Sequence, residues 1–531
     1  MYHDELDSLS YNMFNNLTKT IQLKPLVLHH SYEIIPPQNV NTLHFATPNP
    51  WMVVKLYQSE TNTFKLFINV KTTKSNYNSK NRLKYPIVDD TMHIQYNDNS
   101  VDQILFVSPD CAEHIYGSII VEVCVYIPIS FKLSLEILSS KTLLFNQGCP
   151  LLCSLKWNTE ADICLRDFVI GTIQLLATGS DINLYKVEAE SIEINCLKGH
   201  TNLHEVSTKS IDIKIDSSLS IEGCSLESLS VKASTAPILI KNSTIERCFL
   251  DIRISSVTLE SVGYNTISIL AKSGSIRLKS VKGKCIKLVS KSIVFHGKEI
   301  QSELFQVSSN SASLSIDDST FHYLDIKVLN TLLNTNNLFL DFMNIVTDSL
   351  ILNLNQFEST MKIAIQSNSA QIKMKGKCVS KSQYTNISSK SLEDLKEFQS
   401  QDPTFDLSRV IQIKSDDANI DSNIEHYNVY NVICNNTTLK HQMTGKQGQL
   451  TDIKFTNGKV QVLLNEFFGI VDCKTMQGDI EIVNNRDIIF QDTPQHQFFQ
   501  LGHGIIQTKL KCFSTNGQIK ITNGDTNPTL I

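Results

Sequence analysis

Residues 211–240 read IDIKIDSSLSIEGCSLESLSVKASTAPILI. Apolar residues alternate with Ser, Asp, Lys and Glu, which is the two-residue period of a half-buried strand. The segments LSI (219–221) and ILI (238–240) are followed by VTL (257–259) and IRL (276–278). Their last residues, Ile221, Ile240, Leu259 and Leu278, are 19 apart each time. Two periods further on comes Ile316, and two more lead to Leu354. A second set runs in antiphase through Ile192, Ile211, Leu229, Leu250, Ile267 and Ile286, at spacings of 19, 18, 21, 17 and 19. Near the end, Ile480 and Ile519 are 39 apart, which reads as two periods.

Each such segment is too short to bury its apolar face alone. Stacking one repeat on the next continues a single core, and parallel strands pair along the stack. The period therefore predicts an all-β fold: a parallel β-solenoid of about 19 residues per coil, with a smaller β-rich N-terminal region before it. At that period the stack would hold roughly 20 coils.

Composition agrees and removes other classes. Hydrophobic residues at 41% and charged residues at 19% exclude a disordered chain. A net charge of −5 argues against general affinity for nucleic acid or anionic membrane. No apolar run approaches the ~20 residues of a membrane-spanning helix. Asp4, Glu5 and Asp7 precede the first cation, Lys19, which fits neither a secretory signal nor a transit peptide. Thirteen cysteines are scattered singly, mostly among Val, Ile and Leu as in VEVCVYI, so they read as small core hydrophobes in a reducing compartment.

Along the chain, residues 1–24 are expected to form an amphipathic helix, with Leu6, Leu9, Met13, Phe14 and Leu17 at helical spacing. Residues 25–140 are the β-rich region capping the solenoid, and 141–378 are the solenoid. Residues 379–425 are read as an insertion carrying a short helix, with Ser391 and Asp394 at capping spacing and Pro403 as its stop. Residues 426–531 supply the C-terminal coils.

Residues 117–137, GSIIVEVCVYIPISFKLSLEI, place a V-x-I-P step between two alternating strands. Downstream, AKSGSIRLKSVKGKCIKLVSKS (271–292), KTMQGDIEIVNN (474–485) and STNGQIKITNG (514–524) repeat a Ser/Thr–Gly turn followed by apolar-x-apolar. These features resemble an adhesin-like β-solenoid family of domains of unknown function and its uncharacterised eukaryotic relatives. The resemblance implies the solenoid and an adhesive role, and it brings no catalytic residues. The chain departs from the pattern in being poor in Gly, with Ser, Asn or Lys at many turns.

Three constellations merit weighing as chemistry. Solenoids that cut acidic polysaccharides cluster Asp residues near a Gly-His-Gly; here Asp317–Asp318, Asp416–Asp417 and Gly502–His503–Gly504 occur. Asp318 and His503 are separated by about ten coils or roughly 48 Å, too far for shared acid–base work. Cys196, His200 and His204, spaced by four, and Cys111 with His114 have metal-ligand residue types. Cys196 is expected to point inward, and His200 and His204 toward solvent. The loop 71–86, with Lys71, Lys74, Lys80, Arg82, Lys84, Tyr77 and Tyr85, reads as a solvated basic loop rather than a nucleic-acid groove.

The reading is a non-enzymatic structural or interaction protein with no catalytic, cofactor-binding or metal residues and no cofactor. It has protein partners within a larger assembly, no nucleic acid and no membrane span. It is placed as soluble and intracellular, in the cytoplasm or alternatively the mitochondrion. A carbohydrate-active or carbohydrate-binding β-helix and an adhesin are the alternatives.

Overall fold

The computed structural model describes residues 24–34, 42–47, 51–60, 64–72, 92–97, 100–107, 119–128, 134–139, 142–147, 152–159, 162–378, 409–444, 449–465, 467, 469–483, 488–501 and 508–523. Among the described residues every regular element is a strand. The helix expected over 1–24 lies outside them except for Lys24, which begins the strand Lys24–Ile34. The insertion helix, at 391–402, also lies outside them. Among the described residues no helix is long and apolar enough to cross a membrane. The chain divides into two compact units, Met1–Arg247 and Cys248–Ile531.

In the first unit a five-stranded sheet runs in the order Lys24–Ile34, Phe64–Thr72, Ile119–Pro128, Trp51–Ser59, Thr142–Gln147. Val125 and Ile127 of the V-x-I-P step are buried in it. A second, parallel stack begins with Ser100–Val107, Thr42–Thr47 and Ser134–Ser139, and continues through Leu152–Thr159 and Ile163–Ala177. The stack thus starts at 134 or before, while Thr142–Gln147 belongs to the five-stranded sheet. Met92–Asn97 folds back antiparallel on Ser100–Val107, so a reversed strand covers that strand's edge.

From Ile163 onward each coil lies on the one before it at a nearly constant offset. Ile163 faces Ile182, Ile182 faces Thr201, and Phe168 faces Val187, all 19 apart. The predicted columns are the core: Ile192, Ile211 and Leu229 are in register and buried, as are Ile221 and Ile240. Each full burial of an Ile or Leu is worth about 1.5–3 kcal/mol relative to exposure.

The second unit continues the pattern. Gly263–Lys279, Lys282–Lys298 and the start of Gln301–Cys378 stack at an offset of 19. The last of these spans 78 residues paired along their length, and its side chains bond to others 19 residues away, so it winds through successive coils. Leu278 and Ile316 are two coils apart because Gly297 stands between them in register. A Cβ at Gly297 would meet Ile300 Cδ1 at 2.6 Å and Phe295 Cε1 at 2.8 Å. Their side chains fill the space that an apolar residue takes in other coils.

Among the described residues the stacked coils make roughly 15 turns rather than 20. One reason is that Lys362 faces Val410 and Ser367 faces Ser415, an offset of 48 rather than 19. Val410–Glu425, expected inside the insertion, is a strand of the stack, which therefore resumes at 410 rather than 426. The C-terminal end supplies another reason. Ile480 and Ile519 are not two coils apart; they are direct neighbours in register. The chain between them makes an antiparallel hairpin, Ile488–Thr493 with His496–Leu501, which lies against Gly469–Thr475. Residues 508–523 then return between Leu450–Asn465 and 469–483, parallel to both.

The corners explain the low glycine count. In the first unit Asp167, Lys186, Glu205, Gly223 and Asn242 have φ between 47° and 64°. In the second unit Ser261, Ser280, Glu299, Asp318, Asn337 and Gln356 recur once per coil at φ between 49° and 57°. The amide of a corner residue donates to the carbonyl just before the next corner, as in Ser261 to Lys279 at 3.0 Å and Ser280 to Lys298 at 3.0 Å. Left-handed conformations cost of order 1–3 kcal/mol for residues with a Cβ, and the inter-coil bonds hold them. Small or unbranched polar side chains tolerate the site better than branched ones. Ser261→Val is accordingly expected to destabilise the chain by about 1–3 kcal/mol in chemical denaturation, and Ser261→Gly to leave it unchanged or more stable. Equal effects of the two variants would contradict a strained corner.

Candidate functional site

Of the carboxylates singled out from sequence, Asp318, Asp416 and Asp417 are committed to neighbouring coils. Asp318 is a corner residue whose Oδ1 accepts Asn337 Nδ2 at 2.8 Å. The Asp317 carbonyl accepts the Ser319 hydroxyl at 2.7 Å. Asp416 and Asp417 accept Asn435 and Asn436 Nδ2 at 2.8 and 2.7 Å, each 19 residues on. Gly502, His503 and Gly504 lie outside the described residues.

Cys196 is buried as expected, and its Sγ donates to the Gly199 carbonyl at 3.2 Å. His200 is exposed; its amide donates to Asp181 Oδ1 at 2.7 Å and its ring pairs with the Ser218 hydroxyl. His204 is half-buried rather than solvent-facing, because its ring stacks on Tyr185 at 5.0 Å and 13°. The three side chains thus serve three different contacts. Among the described residues no group of three His, Cys, Asp or Glu side chains is placed to hold a metal ion. Cys111 and His114 lie outside the described residues, as does the basic loop beyond Thr72.

Two polar clusters were not singled out from sequence. The first sits on Gln301–Cys378, where the alternation breaks and Leu324, Asp325 and Ile326 are all buried. Asp325 accepts Gln306 Nε2 at 3.1 Å and Asn344 Nδ2 at 2.8 Å, and Lys327 Nζ lies 3.3 Å away. Three residues along the coil, His322 Nδ1 bonds Asp341 Oδ2 at 2.8 Å, and the Thr360 hydroxyl donates to the other carboxylate oxygen. Both triplets, Gln306–Asp325–Asn344 and His322–Asp341–Thr360, are spaced 19 and 19. The period was legible in the sequence, and applying it to polar residues as well as apolar ones would have found them. A buried carboxylate that orients a half-exposed imidazole resembles part of an acid–base pair. Here, however, both carboxylates are engaged by donors from adjoining coils, so the arrangement ties coils together.

The second cluster is internal. His441 faces Ser422 in register, and its Nδ1 shares a hydrogen bond with the Ser422 hydroxyl at 3.0 Å. Its Nε2 meets the Tyr427 hydroxyl at 3.1 Å, and its ring stacks on Tyr430 at 4.2 Å and 4°. Tyr427 also bonds Thr451 at 2.7 Å, and Tyr430 bonds Ser422 at 2.9 Å. Burial pushes the phenols of Tyr427 and Tyr430 up and pulls His441 down to about 3. The knot holds a neutral imidazole away from water. Burial likewise raises the thiols of Cys224 to about 11 and Cys248 to about 12, which leaves them un-ionised core filling.

Residues 54–253 match the model of the Toastrack family, DUF4097. The match runs from the five-stranded sheet into the stacked coils, and it is to a β-solenoid family of unknown function. No curated protein matches this chain.

Two tests follow from these clusters. Asp341→Ala strands His322 and Thr360 and is expected to cost about 1–3 kcal/mol in urea denaturation, whereas a change below ~0.5 kcal/mol would show the tie to be idle. His441 binds a proton in the unfolded chain below its ordinary 6.5 but in the folded chain only near 3. Its contribution is therefore intact above pH 6.5 and is lost as pH falls toward 3, at up to about 1.4 kcal/mol per pH unit. His441→Gln should be less stable at pH 7.5 yet show a shallower loss between pH 6.5 and 4 than the unaltered chain. Parallel pH profiles would refute the assignment.

Proposed function

We propose that this chain is a non-enzymatic β-solenoid scaffold, one subunit of a larger assembly with protein partners. The observation that carries the reading is the coil-to-coil pairing of the polar groups that chemistry would need. His322, Asp341 and Thr360 serve each other, as do Gln306, Asp325 and Asn344, and Asp417, Asn436, Asn457 and Asn516. Side chains so engaged stabilise a repetitive surface rather than converge on a substrate. The same repetition aligns outward apolar residues in the second unit: Val294 and Ile351 are exposed and Leu332 half-buried, at multiples of 19. Such a stripe suits an extended protein contact. Eleven free cysteines among the described residues support a reducing compartment.

Purification of the tagged full chain from its native source, followed by native mass measurement, tests the reading. A stoichiometric partner is expected with the unaltered chain and at least tenfold less with Val294→Asp plus Ile351→Asp. A free monomer, or cleavage of an acidic polysaccharide by the pure chain, would overturn it.

A further inference from the structure

The last rung of the second unit is out of sequence. Residues 508–523 separate two coils, Leu450–Asn465 and 469–483, that follow one another in the chain with only 466–468 between them. Lys509 faces both Leu450 and Ile470. Ile519 faces both Val460 and Ile480. The two flanking coils are thus already aligned with each other at an offset of 20, one coil length.

That alignment has a consequence for packing. If the rung leaves, Ile453 meets Cys473, Val460 meets Ile480 and Val462 meets Ile482, each through its present common partner Cys512, Ile519 or Ile521. The offset is even, so each inward residue keeps its face. The corner is preserved as well. Lys459, next to Gly458, faces Gln518, next to Gly517, and a Cβ at Gly478 would lie 1.8 Å from the Gly517 carbonyl oxygen. In a stack, where each coil contacts only its neighbours, closure regains one coil–coil interface for the two released.

We propose that the rung 508–523 is exchangeable: the flanking coils close when it leaves, and the slot accepts the same segment from a second copy of this chain. The slot selects its occupant. A Cβ at Gly517 would lie 2.1 Å from Phe455 Cε2, so any larger residue at this corner must displace the Phe455 ring. Leu510, Cys512, Ile519 and Ile521 are the buried apolar side chains of the rung, beside buried Thr508 and Ser514, and Cys512 faces Cys473 in register across the slot. Only a segment with this pattern fits, and a second copy carries it. The swapped pair would be joined through residues 484–507 of each chain.

The Cys473–Cys512 pair makes the exchange measurable in the full chain, with diamide as oxidant. Two thiols lose two protons and two electrons to the azo reagent, which leaves as its hydrazine, and one S–S bond forms. Full-length Cys473→Ser and Cys512→Ser, mixed and oxidised, are expected to give a Cys473–Cys512 cross-link near twice 59.8 kDa, identified by peptide mass. Neither variant alone can form it. Separately, Ile453→Cys with Cys512→Ser is expected to link residues 453 and 473. With the rung in place those positions are two rungs apart, about 9.6 Å, beyond disulfide reach. Hydrogen exchange adds a readout that needs no cysteine: amides of 509–514 and 518–523 are expected to exchange together at least tenfold faster than those of 410–425. Protection equal to that of 410–425 overturns the proposal. Absence of the 453–473 link overturns closure, and absence of the intermolecular link overturns exchange between copies.

Discussion

Parallel pairing of each coil with the next, at an offset held close to one coil length, is the constraint on which the rest of this structure depends. It decides that inward Ile, Leu and Val stand in columns, that corners recur in the left-handed region, and that polar groups find partners one period away. Because every coil has the same neighbours, a local requirement in one becomes a requirement in all. The corner at Ser261 is therefore also the corner at Ser280, Glu299, Asp318 and Asn337. A solenoid is stabilised by repeating small solutions, and among the described residues polar side chains such as Asp325 and Asp341 are consumed in the same repetition.

That consumption is clearest for Asp325 and Asp341. Two buried carboxylates beside a histidine would be a strong pointer to catalysis in a globular fold. Here Asp325 is paired with Gln306, Asn344 and Lys327, and Asp341 with His322 and Thr360. His441 carries the same logic into the core: a titratable ring is held neutral by burial, and its two nitrogens meet hydroxyls.

Stack ends need separate treatment, because an open parallel edge invites association. In the first unit Met92–Asn97 reverses against Ser100–Val107; in the second, His496–Leu501 reverses against Gly469–Thr475. Strand order also leaves sequence order near both edges, as where Thr42–Thr47 pairs with Ser134–Ser139 and Leu450–Asn465 with Thr508–Ser514. A long connection frees a rung to choose a neighbour other than the preceding coil.

The period, the fold class, the inward columns and the burial of Cys196 were legible in the sequence, because alternation and spacing are local and a repeat states them many times. Tertiary structure alone decided which rung lies beside which. The separation of Ile480 from Ile519 fits two coils equally well as one coil with a hairpin excursion, and pairing chose the second. Val410–Glu425 rejoined the stack because residues 362–377 offered a complementary edge, which no local signal near Pro403 announces. The polar triplets lay on the same spacing but without a chemical motif, and burial of Asp325 and Asp341 became visible only once the coils were stacked. Sequence determines how a coil is made and how long it is; pairing between distant coils is set by edge complementarity, which exists only after both edges have formed.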